Sequence, residues 1–365
     1  MALVAAAAFS LGRKPGEMRD FEVYWTAAAR AAAARPLYRA DDGHYQFKYL
    51  PAFAVVTSPV ARVPLETAKR TWFVASAALL CVLLALSLEI LPERRRLGPL
   101  IVAATIVVMG KFYGHELVLG QVNLLFAVLA AAGIYMLRTG EITASSLLFV
   151  AAVVIKPYAV VFLPWVVLLR GTRALWPLAA AGAAVVSLPA LLYGVDNAVL
   201  LHQQWWTTVT ASTAPNLTNA DNVSLAGFFA KWLGQNATAT AATAVASLAC
   251  ALTFSYAVWC GRGIRGREAL EGCLLLILIP LLSPQGWDYV FLIATPAVAL
   301  LVNDARELPA AWRAILYLAL ATIGLSLFDV LGRERYAVFM AWSILTLCFI
   351  VLLSALVVLR RRGVA

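Results

Sequence analysis

The chain has 365 residues, of which 62% are hydrophobic and 13% charged, with a formal net charge of +10. About a quarter of the residues of a soluble domain are charged, so this composition excludes one and describes a polytopic membrane protein. The basic residues sit in short clusters between apolar segments, a pattern of orientation signals and headgroup contacts that argues against nucleic acid as a partner.

Residues 1–12, MALVAAAAFSLG, are apolar but fall short of the about 20 helical residues that cross a hydrocarbon core. They read as a partial first transmembrane helix. Residues 13–67 form a long outer loop rich in carboxylates, aromatics and basic residues. Within it, residues 19–34 predict a helix: the stretch is alanine-rich, lacks Gly and Pro, and carries Arg30 and Arg35 near its C-terminal end, where the dipole favours cations. With Phe21, Tyr24 and Trp25 alongside, this helix suits the membrane surface.

Apolar segments follow at 68–91, 97–113, 117–137, 142–155, 157–169 and 174–193, then at 237–260, 268–283, 287–302, 312–330 and 337–359. The first six make up membrane helices at 68–193, a second outer loop covers 194–236, and C-terminal membrane helices occupy 237–365. Arginine clusters at 94–96, 138, 170–173, 262–267, 306–313 and 360–362 fall on one side of this topology, which the positive-inside rule makes cytoplasmic. Lys156 lies within a segment and the other Lys and Arg residues divide evenly between the two sides, but most outer ones lie between Arg13 and Arg70, in a loop too long for the rule to weigh strongly.

This topology forces residues 142–169 to go up and return, with Lys156-Pro157 at the apex. Proline breaks a helix, and broken backbone at membrane depth is tolerated only where protein or a water-filled cavity satisfies it. At 1.5 Å per residue the rising limb reaches about 20 Å, most of the way to the outer face. A second break is expected at Ser283–Tyr289, SPQGWDY. The outer loop at 194–236 holds His202, the pair Trp205-Trp206, and sequons at Asn216, Asn222 and Asn236 that carry little weight alone.

No P-loop, GxGxxG, HExxH or GxSxG motif is present. Three histidines and five cysteines without CxxC spacing suggest neither a metal site nor a disulfide framework, so no metal and no cofactor is expected. The topology instead gathers Asp20, Glu22, His44, Lys48, Lys111, His115, Glu116, Gln121, Asn123, Asn222 and Asp288 on the outer side, with Lys156 below. Asp20 could serve as a base, its ionised form favoured by Arg19, or equally as a helix N-cap or first-turn residue. Lys48, Lys111 and Lys156 could neutralise a phosphate. Snorkelling is the alternative for Lys48 and Lys111 and fits a mid-segment Lys156 less well. Gln121 and Asn123 are amides that could bind sugar hydroxyls or satisfy backbone. Trp287 could stack on a sugar or anchor the interface.

Six motifs in order resemble glycosyltransferase family 87, polyprenol-phosphate-mannose-dependent mannosyltransferases of the GT-C superfamily. They are DF..Y..A......PLY (Asp20 to Tyr38), KYLP (Lys48 to Pro51), GQVN (Gly120 to Asn123), IKP (Ile155 to Pro157), NVSLAG (Asn222 to Gly227) and LSPQGWDY (Leu282 to Tyr289). The resemblance implies an all-α GT-C-type bundle of roughly 10–12 membrane segments, some broken or re-entrant, with an interfacial helix in the first outer loop. It implies an inverting transfer of a sugar, mannose above all, from a polyprenyl-phosphate donor to a glycolipid or glycan hydroxyl at the outer face of a bacterial cytoplasmic membrane, amid membrane lipid.

By motif position Asp20 is then the catalytic base. Lys156, Lys48 and Lys111 hold the donor phosphate, and Glu22, Tyr49, His115, Gln121, Asn123, Asn222, Trp287 and Asp288 bind sugar or acceptor. The chain departs from the pattern at Tyr289, where histidine is expected, and at Lys231, where arginine is frequent and whose charge stays while the bidentate fork is lost. The alternatives are a polyprenyl-phosphate pentose donor, a protein acceptor, or a lipid-linked saccharide flippase or transporter. The last would explain broken helices but not carboxylates gathered on one side.

Overall fold

A computed structural model describes residues 18–264 and 266–364. The expected partial helix at 1–12 lies outside the described residues. Among these the chain is all-helical, with no strand and one isolated bridge between Asn222 and Trp287. Six helical stretches are long and apolar enough to cross a membrane, and three shorter apolar helices accompany them. The expected all-α polytopic architecture is therefore present. Two compact units divide the chain: residues 18–82 with 114–212, and residues 83–113 with 213–364.

The first unit opens with α1 (Arg19–Ala32), which buries Phe21, Tyr24, Ala27, Ala28 and Ala31 along one stripe. The helix stops because Pro36 disfavours the α region at Arg35 and the chain turns through Ala34 at φ +50°. A short 3₁₀ turn (Ala40–Tyr45) leads to α2 (Pro51–Thr57), whose proline sits at the first helical position where its missing N–H costs nothing. Helices α3 (Leu65–Glu89) and α4 (Gly98–Leu119) each contribute to both units. Helix α4 runs on six residues past the expected end at 113, correcting the assignment of His115 and Glu116 to a loop. Its polar residues interrupt the hydropathy signal but not the helix.

Helices α5 (Asn123–Thr139) and α6 (Ile142–Ile155) form a tight antiparallel hairpin through Gly140 at φ +91°. A Cβ at Gly133 would stand 2.7 Å from the Phe149 ring, so glycine permits the close approach. Helix α6 ends at the expected place. Pro157 forces the residue before it out of the α region, and Lys156 is extended at φ −133°, ψ 103°. A 3₁₀ turn (Pro157–Val161) and α7 (Phe162–Arg170) then carry the chain back until Arg170 Nη2 donates to Leu137 O near the start of α6. The segment rises and returns with Lys156 at its apex. Helices α8 (Leu175–Ser187) and α9 (Val195–Ala211) complete the unit, and Trp205 of α9 donates its indole N–H to Lys48 O at 3.1 Å.

The second unit contains α10 (Leu225–Leu233), α11 (Ala237–Cys260), α12 (Arg267–Leu282), α13 (Thr295–Asp304), α14 (Ala310–Leu325), α15 (Arg333–Ala341) and α16 (Ile344–Arg361). The chain leaves the helix at Ser283 and resumes as a 3₁₀ turn at Asp288–Ala294, the second expected break. Asn236 is the N-cap of α11, accepting from Ala239 N at 2.9 Å, which accounts structurally for one sequon.

Candidate active site

Asp20 occupies the first turn of α1, where the helix N-terminus favours negative charge. Met18 is the N-cap, so Asp20 does not fill the capping role its position also allowed. The GQVN turn seats this first turn. Gly120 has φ +69°, and a Cβ there would stand 2.8 Å from Met18 Cε and 2.9 Å from Phe21 Cβ. Only glycine lets α1 approach so closely. Phe21 stacks on Trp72 at 5.9 Å between centroids, and Trp72 Nε1 donates to Gln121 O at 3.1 Å. These contacts bring Gln121 beside the carboxylate, and its Nε2 donates to Asp20 Oδ2 at 2.6 Å.

The bonding continues in one direction. Tyr24 OH donates to Gln121 Oε1 at 2.7 Å. With its single proton thus used, Tyr24 accepts at its 2.7 Å contact with Tyr49 OH, so Tyr49 is the donor there. Lys156 Nζ donates to Tyr49 OH at 3.2 Å and lies 4.9 Å from the centre of that ring. Each proton therefore points from the Lys156 ammonium through Tyr49, Tyr24 and Gln121 to Asp20 Oδ2, leaving Oδ1 outside the series.

Asp20 is the half-buried carboxyl at the end of this series. Burial pushes its carboxyl above the usual range, opposed by the bond from Gln121 and by the charges of Lys156, His44 and Lys48. Burial pushes the Lys48 ammonium down, opposed by Asp20, and pushes the Tyr49 phenol up, so Tyr49 stays a proton donor. Glu116 is fully buried and closes the start of α5: Oε2 accepts from Asn123 Nδ2 at 2.8 Å and Oε1 from Leu124 N at 2.9 Å. A carboxylate at a helix N-terminus is favoured by the dipole and satisfies orphan N–H groups.

Asp20, Gln121, Tyr49 and Lys156 thus belong to one hydrogen-bonded series, with Lys48 facing Asp20 by charge and Asn123 tied to Glu116. Glu22 points elsewhere, pairing with Lys69 at 3.5 Å, and His115 is half-buried on α4 outside the series. Beside α1 lies an apolar groove of about 250 Å³, lined by Phe21, Tyr24, Trp25, Phe53 and Trp72 among others. Tyr24 belongs to both groove and series. Reasoning from sequence missed Tyr24, although its place four residues after Asp20 puts the two on one helix face.

In the second unit Lys111 and Asp288 form an ion pair at 2.8 Å, both almost wholly buried. The ammonium also lies 4.9 Å from the centre of the Tyr336 ring. Its charge is paired within the fold, whereas Lys48 and Lys156 stand in the first unit among the residues around Asp20. Asn222 is likewise committed: Nδ2 donates to Asn216 O at 3.1 Å and Pro284 O at 2.9 Å, and Oδ1 accepts from Ser224 N at 3.2 Å and Ser224 Oγ at 2.8 Å. Both amide hydrogens and both lone pairs are used in these bonds, which hold the loop.

The backbone bond from Val223 N to Gly286 O at 2.9 Å completes the junction of the two motif loops and leaves Trp287 half-buried at its edge. Lys231 holds the carbonyls of Ala220 at 2.8 Å, Asn222 at 2.7 Å and Met340 at 3.2 Å, with Ser343 Oγ at 3.1 Å. Separate carbonyl acceptors suit the rotatable ammonium as well as an arginine fork. Among the described residues no group of three or more His, Cys, Asp or Glu could hold a metal ion.

Span-length helices and a carboxylate set among lysines and phenols define the class: an all-α polytopic membrane protein with a polar centre suited to group transfer. The family model of glycosyltransferase family 87 matches residues 47–284, and the chain belongs to that family. It is a membrane glycosyltransferase. The match starts after α1, so Asp20 and Glu22 precede the matched residues. No curated protein and no solved structure matches the chain.

Proposed function

We propose that the enzyme transfers a sugar, mannose by its resemblance to the family's mannosyltransferases, from a polyprenyl-phosphate donor to a hydroxyl of a lipid or glycan acceptor at the outer membrane face. The observation that carries this reading is the placement of Asp20 in a field of Lys156, Lys48 and His44, held by Gln121 at 2.6 Å. The acceptor oxygen attacks the anomeric carbon while Asp20 takes its proton. The bond from that carbon to the phosphate oxygen breaks, and polyprenyl phosphate leaves with the electron pair. Attack on the face opposite the leaving group inverts the anomeric centre.

Lys156 and Lys48 stabilise the phosphate as its charge grows, an interaction stronger in the transition state than before it. The apolar groove beside Tyr24 fits a portion of an isoprenoid chain, so the donor's tail and reacting head are served by adjoining surfaces.

The test supplies purified enzyme in lipid with labelled polyprenyl-phosphate mannose, polyprenyl-phosphate pentose or a nucleotide-activated mannose, each with a mixture of glycan and lipid acceptors. Transfer from polyprenyl-phosphate mannose, with product anomeric configuration opposite to the donor's by NMR, is the expected result. Transfer from the nucleotide sugar alone, or retention of configuration, would remove the proposal.

A further inference from the structure

The turn from α4 to α5 is held at both ends by one residue. Glu116 is fully buried in the last turn of α4, where the helix dipole disfavours a carboxylate. Its main-chain oxygen accepts from Gly120 N at 3.0 Å and Gln121 N at 3.1 Å, closing the end of α4. Its side chain reaches across the turn, where Oε1 takes Leu124 N at 2.9 Å and Oε2 takes Asn123 Nδ2 at 2.8 Å. Val122, the N-cap of α5, makes no side-chain cap bond, so the cap comes from the preceding helix.

Gln121 sits inside this frame. Its N–H is bound by Glu116 O and its carbonyl by Trp72 Nε1, while its side chain joins Tyr24 to Asp20 at 2.7 and 2.6 Å. Such bonds weaken steeply with misalignment, so the aim of the amide follows the turn that carries it. Resting on the transferase reading, we infer that Glu116 is a positioning residue of the transfer, which holds the GQVN turn so that the Gln121 amide meets Asp20. The hydrogen bonds of Glu116 go to the turn and not to Asp20, so it acts through Gln121. The Lys156 ammonium acts on the buried carboxylate by charge, which offsets part of the cost of its desolvation.

Asn123 allows hydrogen bonding to be separated from charge. Its Oδ1 is buried with no hydrogen-bond partner among the described residues. In Glu116→Gln the new Oε1 keeps Leu124 N, and the Asn123 amide, turned over, accepts from the new Nε2 on Oδ1. Both bonds across the turn survive and only the charge is removed, whereas Glu116→Ala removes both bonds.

The test uses the full chain in lipid nanodiscs: wild type, Glu116→Gln, Glu116→Ala, Gln121→Ala and the double alanine variant. The pH dependence of kcat/KM is measured for transfer from labelled polyprenyl-phosphate mannose. The titration of Asp20 is read without donor by NMR of carboxyl-¹³C aspartate, its signal identified by its loss in Asp20→Asn, and thermal unfolding checks the fold. The bond from Gln121 favours the ionised Asp20, so its loss moves that titration to higher pH. Glu116→Ala and Gln121→Ala should both show this shift, with the acid limb of kcat/KM moved the same way and about a tenfold loss on that limb. Glu116→Gln should keep the wild-type titration and acid limb. Adding Glu116→Ala to Gln121→Ala should cost no more than about twofold further, because both changes remove the same bond to Asp20.

A wild-type Asp20 titration in Glu116→Ala, multiplying losses in the double variant, or Glu116→Gln as impaired as Glu116→Ala overturns the inference. If Glu116→Ala does not fold, Asn123→Ala replaces it in the same set, since it removes one bond across the turn and leaves Leu124 capped; a smaller shift in the same direction is then expected, and no shift overturns the inference. Absence of transfer by wild type from any donor would remove the transferase chemistry instead, and the donor-free titration would still decide whether Glu116 positions Gln121.

Discussion

Replacing Tyr24 by phenylalanine deletes one oxygen from the middle of the series that ends at Asp20. Gln121 is 5% exposed and its Oε1 accepts from Tyr24. Losing that donor to a buried acceptor costs about 0.5–1.5 kcal/mol. The amide can recover part of this by turning its Nε2 away from Asp20, and the carboxylate then loses the bond that favours its ionised form. The base acts only when ionised, so activity rises with pH through its pKa on the acid limb. Burial already pushes that pKa up, and the Gln121 bond pulls it down.

Removing the bond moves the acid limb to higher pH. The assay is the pH dependence of kcat/KM for transfer in wild type and Tyr24→Phe, with loss concentrated on the acidic side and a smaller loss on the alkaline side. Superimposable profiles differing only by a constant factor would show that Tyr24 packs against the site without orienting Gln121, and would refute the directional series.

Gly120→Ala places a methyl group 2.8 Å from Met18 Cε at φ +69°, so it should cost about 1–3 kcal/mol of stability and most of the transfer activity, read by thermal unfolding and turnover. Lys111→Met strands the buried Asp288 charge and should destabilise by about 3–5 kcal/mol, whereas the double change with Asp288→Leu should recover much of that; equal unfolding temperatures for wild type and Lys111→Met would contradict the pairing. A carboxyl whose folded pKa is raised adds stability at low pH that is lost as pH rises through that pKa. Asp20→Asn, neutral throughout, should therefore melt at or above the wild-type temperature at pH 7, with the difference shrinking in acid; a lower melting temperature at pH 7 would indicate a structural role instead.

Much of the architecture was legible because its signals are local. Pro157 dictates the extended Lys156, glycine marks the turn at Gly140, and hydropathy locates the long helices to within a few residues, as at Ala237–Cys260. What hydropathy leaves out is the set of partners that polar side chains find on folding. His115 and Glu116 fell between the expected segments because a charged helix end resembles a loop in a hydropathy scan, and only folding supplies Asp288 to Lys111 and the start of α5 to Glu116.

Asn222 looked available for a sugar because its motif gave no hint that all four of its bonding positions go to Asn216, Pro284 and Ser224. Asp20 stood out by position, but its support depends on Gln121, 101 residues from Asp20 and 97 from Tyr24, and on Gly120 admitting the helix.

The claim at the centre of the account is that Asp20 accepts the acceptor's proton. Its most direct measurement is single-turnover transfer of labelled sugar from polyprenyl-phosphate mannose by Asp20→Asn, whose amide can still accept from Gln121 but cannot take a proton. The account predicts retained donor binding with transfer reduced by about 10²-fold or more. Transfer at the wild-type rate would contradict it.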